Sequence, residues 1–179
     1  PSDLSKAQRG FALAQGLATP AQRPAPVALD ASASPVDAFR TIAWACLVPL
    51  QANLARLALD AGAWAEPEFV HQSRVALRRL RTALKLFAPW LPKHFVRTWQ
   101  PYWQAAASRL GDVRDWDVLD TETLPRLVPD GAAPPPWVRE QREAAWRQLQ
   151  EALAAPAPGL ALLAFARDLA ELPPGGKAG

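Results

Sequence analysis

The chain of 179 residues is half hydrophobic, which excludes a disordered chain and allows one domain with a buried core. Its formal charge of +3 excludes a polycation, so the placement of its 20 Lys and Arg residues matters more than their number. The single cysteine, Cys46, excludes an internal disulfide and a cysteine-based metal cluster, and we expect it to be a buried free thiol. No apolar run approaches the ~20 residues of a membrane span, and no segment resembles a secretory signal.

The N-terminal part, residues 1–34, is predicted to be peripheral. Ser5 is placed to cap a short helix that runs to about Leu17, and the proline-rich stretch after it indicates an extended linker or an arm draped over the surface. The chain begins at Pro1 and contains no methionine, so we expect it to be a portion of a longer protein.

The first long helix is predicted from Pro35, with Ser34 as its N-cap and Asp37 in its first turn. Apolar residues then recur at steps of three and four, which indicates an amphipathic helix. They are Phe39, Ile42, Ala43, Cys46, Leu47, Leu50, Leu54 and Leu57. Pro49 should kink this helix without ending it, because the pattern resumes in phase, and Gly62 should end it.

Prolines and glycines delimit the helices that follow. These helices are predicted at about residues 67–88, 93–110, 136–155 and 159–172. Gly111 should stop the second of them, and Pro101 is a point at which it can break. A short helical segment that carries Asp115 and Asp117 should follow.

No strand pattern of comparable strength is present in the sequence. The predicted fold is therefore all-α, an antiparallel helical bundle with short connections. The bundle should occupy residues 35–172, between the N-terminal arm at residues 1–34 and a flexible end at residues 173–179.

The helix predicted at residues 67–88 has a core face and a face of a single charge. At about 100° per residue, five basic residues fall within an arc of about 80°, and the leucines gather on the opposite side. The five, which we call the basic stripe, are His71, Arg74, Arg78, Arg81 and Lys85. An ordinary solvated face mixes acidic and basic residues, whereas no acidic residue lies between His71 and Ala88.

Like charges along ~20 Å of helix repel one another unless an anion neutralises them. Arginine outnumbers lysine in the basic stripe, which favours phosphate, because a guanidinium group donates two parallel hydrogen bonds. Such groups, one turn apart, fit a linear anion with repeating charge better than a single small ligand. The alternative is that acids of other helices, among them Asp112, Asp115 and Asp117, pair with these arginines.

Two segments of the sequence resemble known signatures. The run from His71 to Phe87 reads HQSRVALRRLRTALKLF, and the run from Leu110 to Leu119 reads LGDVRDWDVL. The first closely resembles the signature helix of CHAD domains, the "conserved histidine α-helical domain" family. The second resembles that family's second signature, a Leu-Gly turn followed by an Arg-Asp-x-Asp-Val helix start.

The resemblance implies a fold, a ligand and a partner. CHAD domains are all-α, consist of two related helical halves and bind inorganic polyphosphate through basic residues. They are often fused behind a CYTH domain, a triphosphate tunnel enzyme, and Ser5–Gly10 resembles the stretch that closes such a domain. The likeness covers about residues 35–172 and corresponds to the first half, because a second basic helix is missing. We therefore expect the chain to form one wall of a binding site.

Carried over position by position, the resemblance assigns polyphosphate binding to the basic stripe, to Arg79 and to Arg114. Arg79 lies about 100° from Arg78 on the wheel, so it is expected to make a flanking contact or to pair with an acid. The two carboxylates of the second signature, Asp115 and Asp117, are expected to be structural and to hold arginines in position.

Lys93 and Arg97 are further candidate polyphosphate ligands, because cations at a helix start oppose the helix dipole and favour a bound anion there. By contrast, Arg139, Arg142 and Arg147 alternate with glutamates, which indicates an ordinary solvated face. Several tryptophans occur at core spacings, which favours packing over a stacking platform for bases. They are Trp44, Trp99, Trp103 and Trp146.

No catalytic apparatus is recognisable in the sequence. No acidic residue lies three or four positions after His71, and there is no glycine-rich phosphate loop, nucleophile–base pair or metal-ligand cluster. The sequence thus predicts a non-enzymatic polyphosphate-binding module without cofactor or metal. We expect it in the cytoplasm, at polyphosphate granules, with a fused or associated CYTH-type triphosphatase and no membrane partner. The alternatives are a nucleic-acid-binding helical module and an accessory domain of a fused triphosphatase.

Overall fold

The computed structural model describes residues 20–59, 67–127 and 135–174, and these ranges contain helices and no strand. The helices are α1 (Pro35–Leu59), α2 (Pro67–Phe87), α3 (Lys93–Val118), α4 (Leu124–Leu127), α5 (Pro136–Ala154) and α6 (Pro156–Ala170). A 3-10 turn joins α2 to α3, and the π-helical segment Leu119–Thr123 joins α3 to α4. The all-α prediction is confirmed, and the bounds of α2, α5 and α6 lie close to those predicted.

The start of α1 is fixed by a side-chain cap, as the sequence predicts. The backbone N–H of Asp37 donates to the Ser34 hydroxyl oxygen (3.1 Å), and that hydroxyl donates to the Asp37 carboxylate (2.6 Å). The second bond holds the pKa of Asp37 below its usual value. Arg40, one turn on, pairs with Asp37. Its guanidinium also donates to the backbone carbonyls of Leu169 and Leu172, which ties α1 to the C-terminal end of α6.

The core is built from the apolar faces of α1, α2, α3, α5 and α6. Near its centre, the rings of Trp103 and Phe165 meet edge to face with centroids 5.1 Å apart, and Trp99 contacts both rings. Cys46 is 1% exposed, and burial raises the pKa of its thiol to about 11, so it serves as a small buried hydrophobe.

The third helix differs most from its prediction. α3 runs without a break through both Pro101 and Gly111. A glycine inside a helix costs only about 1 kcal/mol, which is small against the burial of Leu110 and Val113 on either side of it. The predicted stop at Gly111 and the separate helical segment after it are therefore wrong. The carboxylates of the second signature lie in the last turns of α3 and not at a helix start.

The segment before α1 lies against the helices as an arm. Asn53, which is buried on α1, binds Gln22 through both of its amide atoms: its oxygen accepts from the Gln22 N–H (2.8 Å), and its nitrogen donates to the Gln22 carbonyl (2.9 Å). Of the two sequence-based interpretations, the draped arm therefore describes residues 20–34. The predicted helix after Ser5 and the predicted stop at Gly62 lie outside the described residues.

An apolar surface lies between α1 and α6. It includes Trp44, Leu160 and Leu163, which are 38%, 63% and 67% exposed. The prediction that Trp44 belongs to the core is wrong, because this residue sits at the margin of the apolar face of α1, where its neighbours cover it only in part.

Within the described ranges, no single helix is long and apolar enough to cross a membrane. The pair α5 and α6, bent by 60° at their junction, passes that test of length and composition only when the two are joined.

Candidate functional site

A groove of about 570 Å³ lies between α2 and α3, which run antiparallel because a short turn connects them. α2 contributes His71, Arg74, Val75, Arg78 and Arg81 to its lining. α3 contributes Gln104, Ala107, Ser108, Gly111, Asp112, Arg114 and Asp115. The groove thus brings together four members of the basic stripe and, from the other helix, Arg114.

The α2 wall follows from the two faces of that helix. Its apolar side, which includes Val70, Leu77 and Leu80, is buried in the core. Because residues three and four positions apart share a helix face, the basic stripe is presented on the side away from the core. Within the stripe, Arg74 and Arg81 are partly buried, whereas the other three residues are exposed.

The α3 wall includes four small or uncharged residues that sequence reasoning did not assign to the site, Gln104, Ala107, Ser108 and Gly111. Gln104 accepts a hydrogen bond from the Arg81 guanidinium. Further along, Ala107, Ser108 and Gly111 leave the space that the arginines of α2 enter. A signal was present, because positions 104, 108, 111 and 115 follow one another at steps of four, three and four. Only Asp115 among these positions is charged, so the pattern stands out only once the facing helix is known.

Three basic residues of the groove have no acidic partner among the described residues. Among the residues that the structure describes, the side chains of His71, Arg74 and Arg78 form neither a hydrogen bond nor an ion pair. Asp112 and Asp115 also line the groove, but they pair with none of these three residues. For these three residues, the alternative that acids of other helices neutralise the stripe finds no support among the described residues.

Two further arginines of the groove are held by neighbours. The partner of Arg81 is the neutral amide of Gln104, so the charge of Arg81 is oriented without being neutralised. Arg114 donates from Nη2 to Oε1 of Glu122 at 2.7 Å, an ion pair in which both side chains keep some exposure to solvent. Arg114 is thus the one groove arginine with a carboxylate partner among the described residues.

Asp117 lies on the other side of α3 and has a different environment. It is 1% exposed, and its Oδ1 accepts from Arg142 Nε (2.7 Å) and from Trp146 Nε1 (3.1 Å). Arg142 also donates to Asp120 at 3.2 Å. The prediction of an ordinary solvated face on α5 is therefore wrong for Arg142, because its guanidinium reaches across to α3. The other arginines of that face, Arg139 and Arg147, are exposed.

Four residues predicted to bind polyphosphate lie outside the lining of the groove. Arg79 turns toward the N-terminal arm and donates to the backbone carbonyls of Pro24 and Ala25. Lys85 is exposed one turn beyond the α2 wall, and Lys93 and Arg97 are exposed in the first two turns of α3. The side chains of Lys85, Lys93 and Arg97 can therefore extend toward a long ligand, but they do not line the groove.

The arrangement is suited to holding an anion. Its lining combines four arginines with two carboxylates, so the positive charge is in excess. Guanidinium groups stay charged at any physiological pH and donate paired hydrogen bonds to phosphate oxygens. In the described ranges, no group of three His, Cys, Asp or Glu side chains is placed to hold a metal ion.

Comparisons with known proteins agree with the two signatures. Residues 41–179 match the family model described as "CHAD domain". The chain belongs to the CHAD domain family. The resemblance inferred from the signatures is confirmed, while the fusion to a CYTH domain stays a prediction.

A solved CHAD domain shares the fold. The crystal structure of the CHAD domain from the plant Ricinus communis superposes with a TM-score of 0.70 at 32% sequence identity, covering 86% of this chain and 52% of that chain. The chain therefore spans about half the length of the plant CHAD structure that it matches. The search of curated proteins finds no match.

Proposed function

We propose that this CHAD chain binds inorganic polyphosphate in the groove between α2 and α3 and leaves it chemically unchanged. The observation that carries the proposal is that Arg74 and Arg78 lie in the groove without an acidic partner among the described residues. Like charges in this state repel one another. A bound anion removes that repulsion and forms charge-assisted hydrogen bonds, so these arginines favour phosphate as a ligand.

The layout of the charges favours a linear anion. From His71 to Arg81 the α2 wall extends over about 15 Å, at 1.5 Å per residue, and the exposed Lys85 continues it by one turn. A single phosphate would contact one or two of these groups. A chain in which every unit carries a negative charge would meet each of them in turn, so its affinity would grow with its length.

The lining of the groove favours polyphosphate over nucleic acid. Proteins that bind single-stranded nucleic acid add aromatic side chains on which bases stack to a basic channel. Among the described residues that line this groove there is no Phe, Tyr or Trp, and the tryptophans Trp99, Trp103 and Trp146 are buried in the core. A ligand made of phosphate alone needs no such platform.

Binding without turnover is part of the proposal. The described residues hold no cluster of metal ligands, and among them His71 has no carboxylate partner that would orient it as a general base. We propose that the module acts in the cytoplasm by holding a fused or associated CYTH-type triphosphatase on polyphosphate granules. The family to which the chain belongs supports this cellular role.

The ligand is tested by competition on the 179-residue chain. Fluorescently labelled long-chain polyphosphate is bound at low salt, and unlabelled polyphosphate, duplex DNA or single-stranded RNA is added at equal phosphate concentration. We expect unlabelled polyphosphate to displace the label at far lower concentration than either nucleic acid, and the affinity to fall as salt rises. Displacement by a nucleic acid at the same concentration as polyphosphate would contradict the proposal.

Turnover is tested separately. The chain is incubated with polyphosphate or triphosphate and Mg²⁺, and released phosphate is measured over time. We expect no release above a protein-free control. Steady release that His71→Ala abolishes would show that the groove is catalytic.

A further inference from the structure

Gly111, on the α3 wall of the groove, lies next to the Arg74 side chain from α2. A Cβ atom added at this position would lie 2.8 Å from Nη1 of Arg74 and 4.0 Å from its Cζ. The Arg74 guanidinium therefore rests in the space that any other residue at position 111 would fill. Gly111 is itself inside α3, seven residues before the end of the helix, so neither a turn nor a helix end requires a glycine at this position.

The glycine is unfavourable for the helix that contains it. Glycine inside a helix is less stable than alanine because it loses more backbone freedom on folding. The atom that an alanine Cβ would meet is the far end of a flexible side chain, so Arg74 and not the backbone would give way. An alanine at this position would thus suit the fold of α3 and move the guanidinium.

We propose that Gly111 is a positioning residue of the groove. Its missing side chain allows Arg74 to lie against α3 with the guanidinium directed along the floor of the groove, where it contacts the anion. This inference rests on the proposed function. It adds that the second signature of the sequence contributes to binding through the absence of a side chain as well as through Arg114.

The same substitution at a second helical glycine provides a matched control. Gly159 lies in α6, outside the groove, and an added Cβ would have no atom within 4 Å. The experiment measures Tm and the affinity for long-chain polyphosphate for five proteins: the wild type, Gly111→Ala, Gly159→Ala, Arg74→Ala and the double variant Arg74→Ala with Gly111→Ala.

We expect Gly111→Ala to raise Tm and yet weaken polyphosphate binding by about threefold to tenfold, because one charged contact is displaced but not deleted. Gly159→Ala should leave the affinity unchanged. In the Arg74→Ala background, Gly111→Ala should have no further effect on binding, since the group that it displaces is gone. A role of Gly111 in folding alone would not produce this dependence on Arg74.

Three results would overturn the inference. Binding that Gly111→Ala leaves unchanged would refute it, and so would an equal loss of affinity in the Arg74→Ala background. A lower Tm in Gly111→Ala would also refute it, because the helix and not Arg74 would then have yielded. If the wild type binds no polyphosphate, the proposed function fails first and the inference fails with it, whereas the other three results leave the proposed function intact.

Discussion

The two sides of α3 use arginine in opposite ways. On one side, the buried carboxylate of Asp117 is bonded to Arg142 (2.7 Å) and Trp146 (3.1 Å), both on α5. On the other side, Arg74 and Arg78 enter the groove without an acidic partner among the described residues. The first arrangement satisfies charge within the chain and fixes α5 to α3. The second leaves charge available to a molecule from outside.

The difference implies that stability and binding depend on separate residues. A buried carboxylate that loses its cation is left in a medium that solvates it poorly, so the fold bears the cost. A groove arginine that is removed relieves repulsion from its neighbours, so the fold is unharmed and only the ligand loses a contact. Each prediction below tests one part of this contrast.

The largest effect is expected from Arg142→Ala. Its side chain is 15% exposed and bonds both Asp117 and Asp120, so its loss should lower the free energy of unfolding by about 3 kcal/mol or more. Polyphosphate affinity should stay unchanged under conditions where the variant is folded. Chemical denaturation measures the first quantity, and Arg139→Ala on the exposed side of the same helix is the control. A similar loss of stability in both variants would show that the Asp117 pair contributes nothing special.

The opposite outcome is expected for Arg78→Ala combined with Arg81→Ala. Two charged contacts to phosphate are lost, so polyphosphate affinity should fall by about 100-fold at low salt, while the helical circular dichroism and Tm stay the same or rise. Arg139→Ala with Arg147→Ala removes the same charge from exposed positions on α5 and should have little effect. If that control weakens binding equally, net charge and not the groove determines the affinity.

The sequence predicts the faces of single helices better than the contacts between helices. The face of α2 follows from residue spacing alone, because a helix of constant pitch brings His71, Arg74, Arg78 and Arg81 to one side. The cap at Ser34 and the start of α1 follow equally from local rules, and the hydrogen bond from the Asp37 N–H to the Ser34 hydroxyl confirms them.

Tertiary contacts account for what the sequence did not predict. From its neighbours in the sequence, Gly111 is predicted to stop the helix. In the structure the helix continues, and a Cβ at this position would meet the Arg74 guanidinium. From residue spacing alone, Arg142 is predicted to be one of several solvated arginines, because its partner Asp117 is distant in the sequence and on another helix. Arg79 is predicted to be a ligand because it adjoins the basic stripe. In the structure it donates its hydrogen bonds to backbone carbonyls of the arm. In each case the deciding neighbour is far away along the chain.

A smaller effect is expected at the boundary between the two regions. Arg114 lines the groove but is paired with Glu122 at 2.7 Å, so a ligand must compete with that carboxylate. Glu122→Gln should raise polyphosphate affinity by about twofold to fivefold, which is the range that partly exposed ion pairs contribute. Glu140→Gln, an exposed change of the same kind on α5, controls for net charge. Weaker binding in Glu122→Gln would mean that Glu122 orients Arg114 for the ligand and does not compete with it.

The smallest effect on binding is expected from Arg79→Ala. The adjacent Arg78 provides the matched control, because the same substitution there removes an arginine from the groove. Both are exposed arginines on α2, but Arg79 donates to the carbonyls of Pro24 and Ala25 while Arg78 lines the groove. Arg79→Ala should therefore leave polyphosphate affinity within about twofold of the wild type, since no groove contact is lost, and speed amide hydrogen exchange in the arm at residues 20–34. Arg78→Ala should do the reverse, with weaker binding and an unchanged arm. Equal losses of affinity in the two variants would extend the binding surface around α2 to the arm side, and the division between paired and unpaired arginines would no longer mark the site.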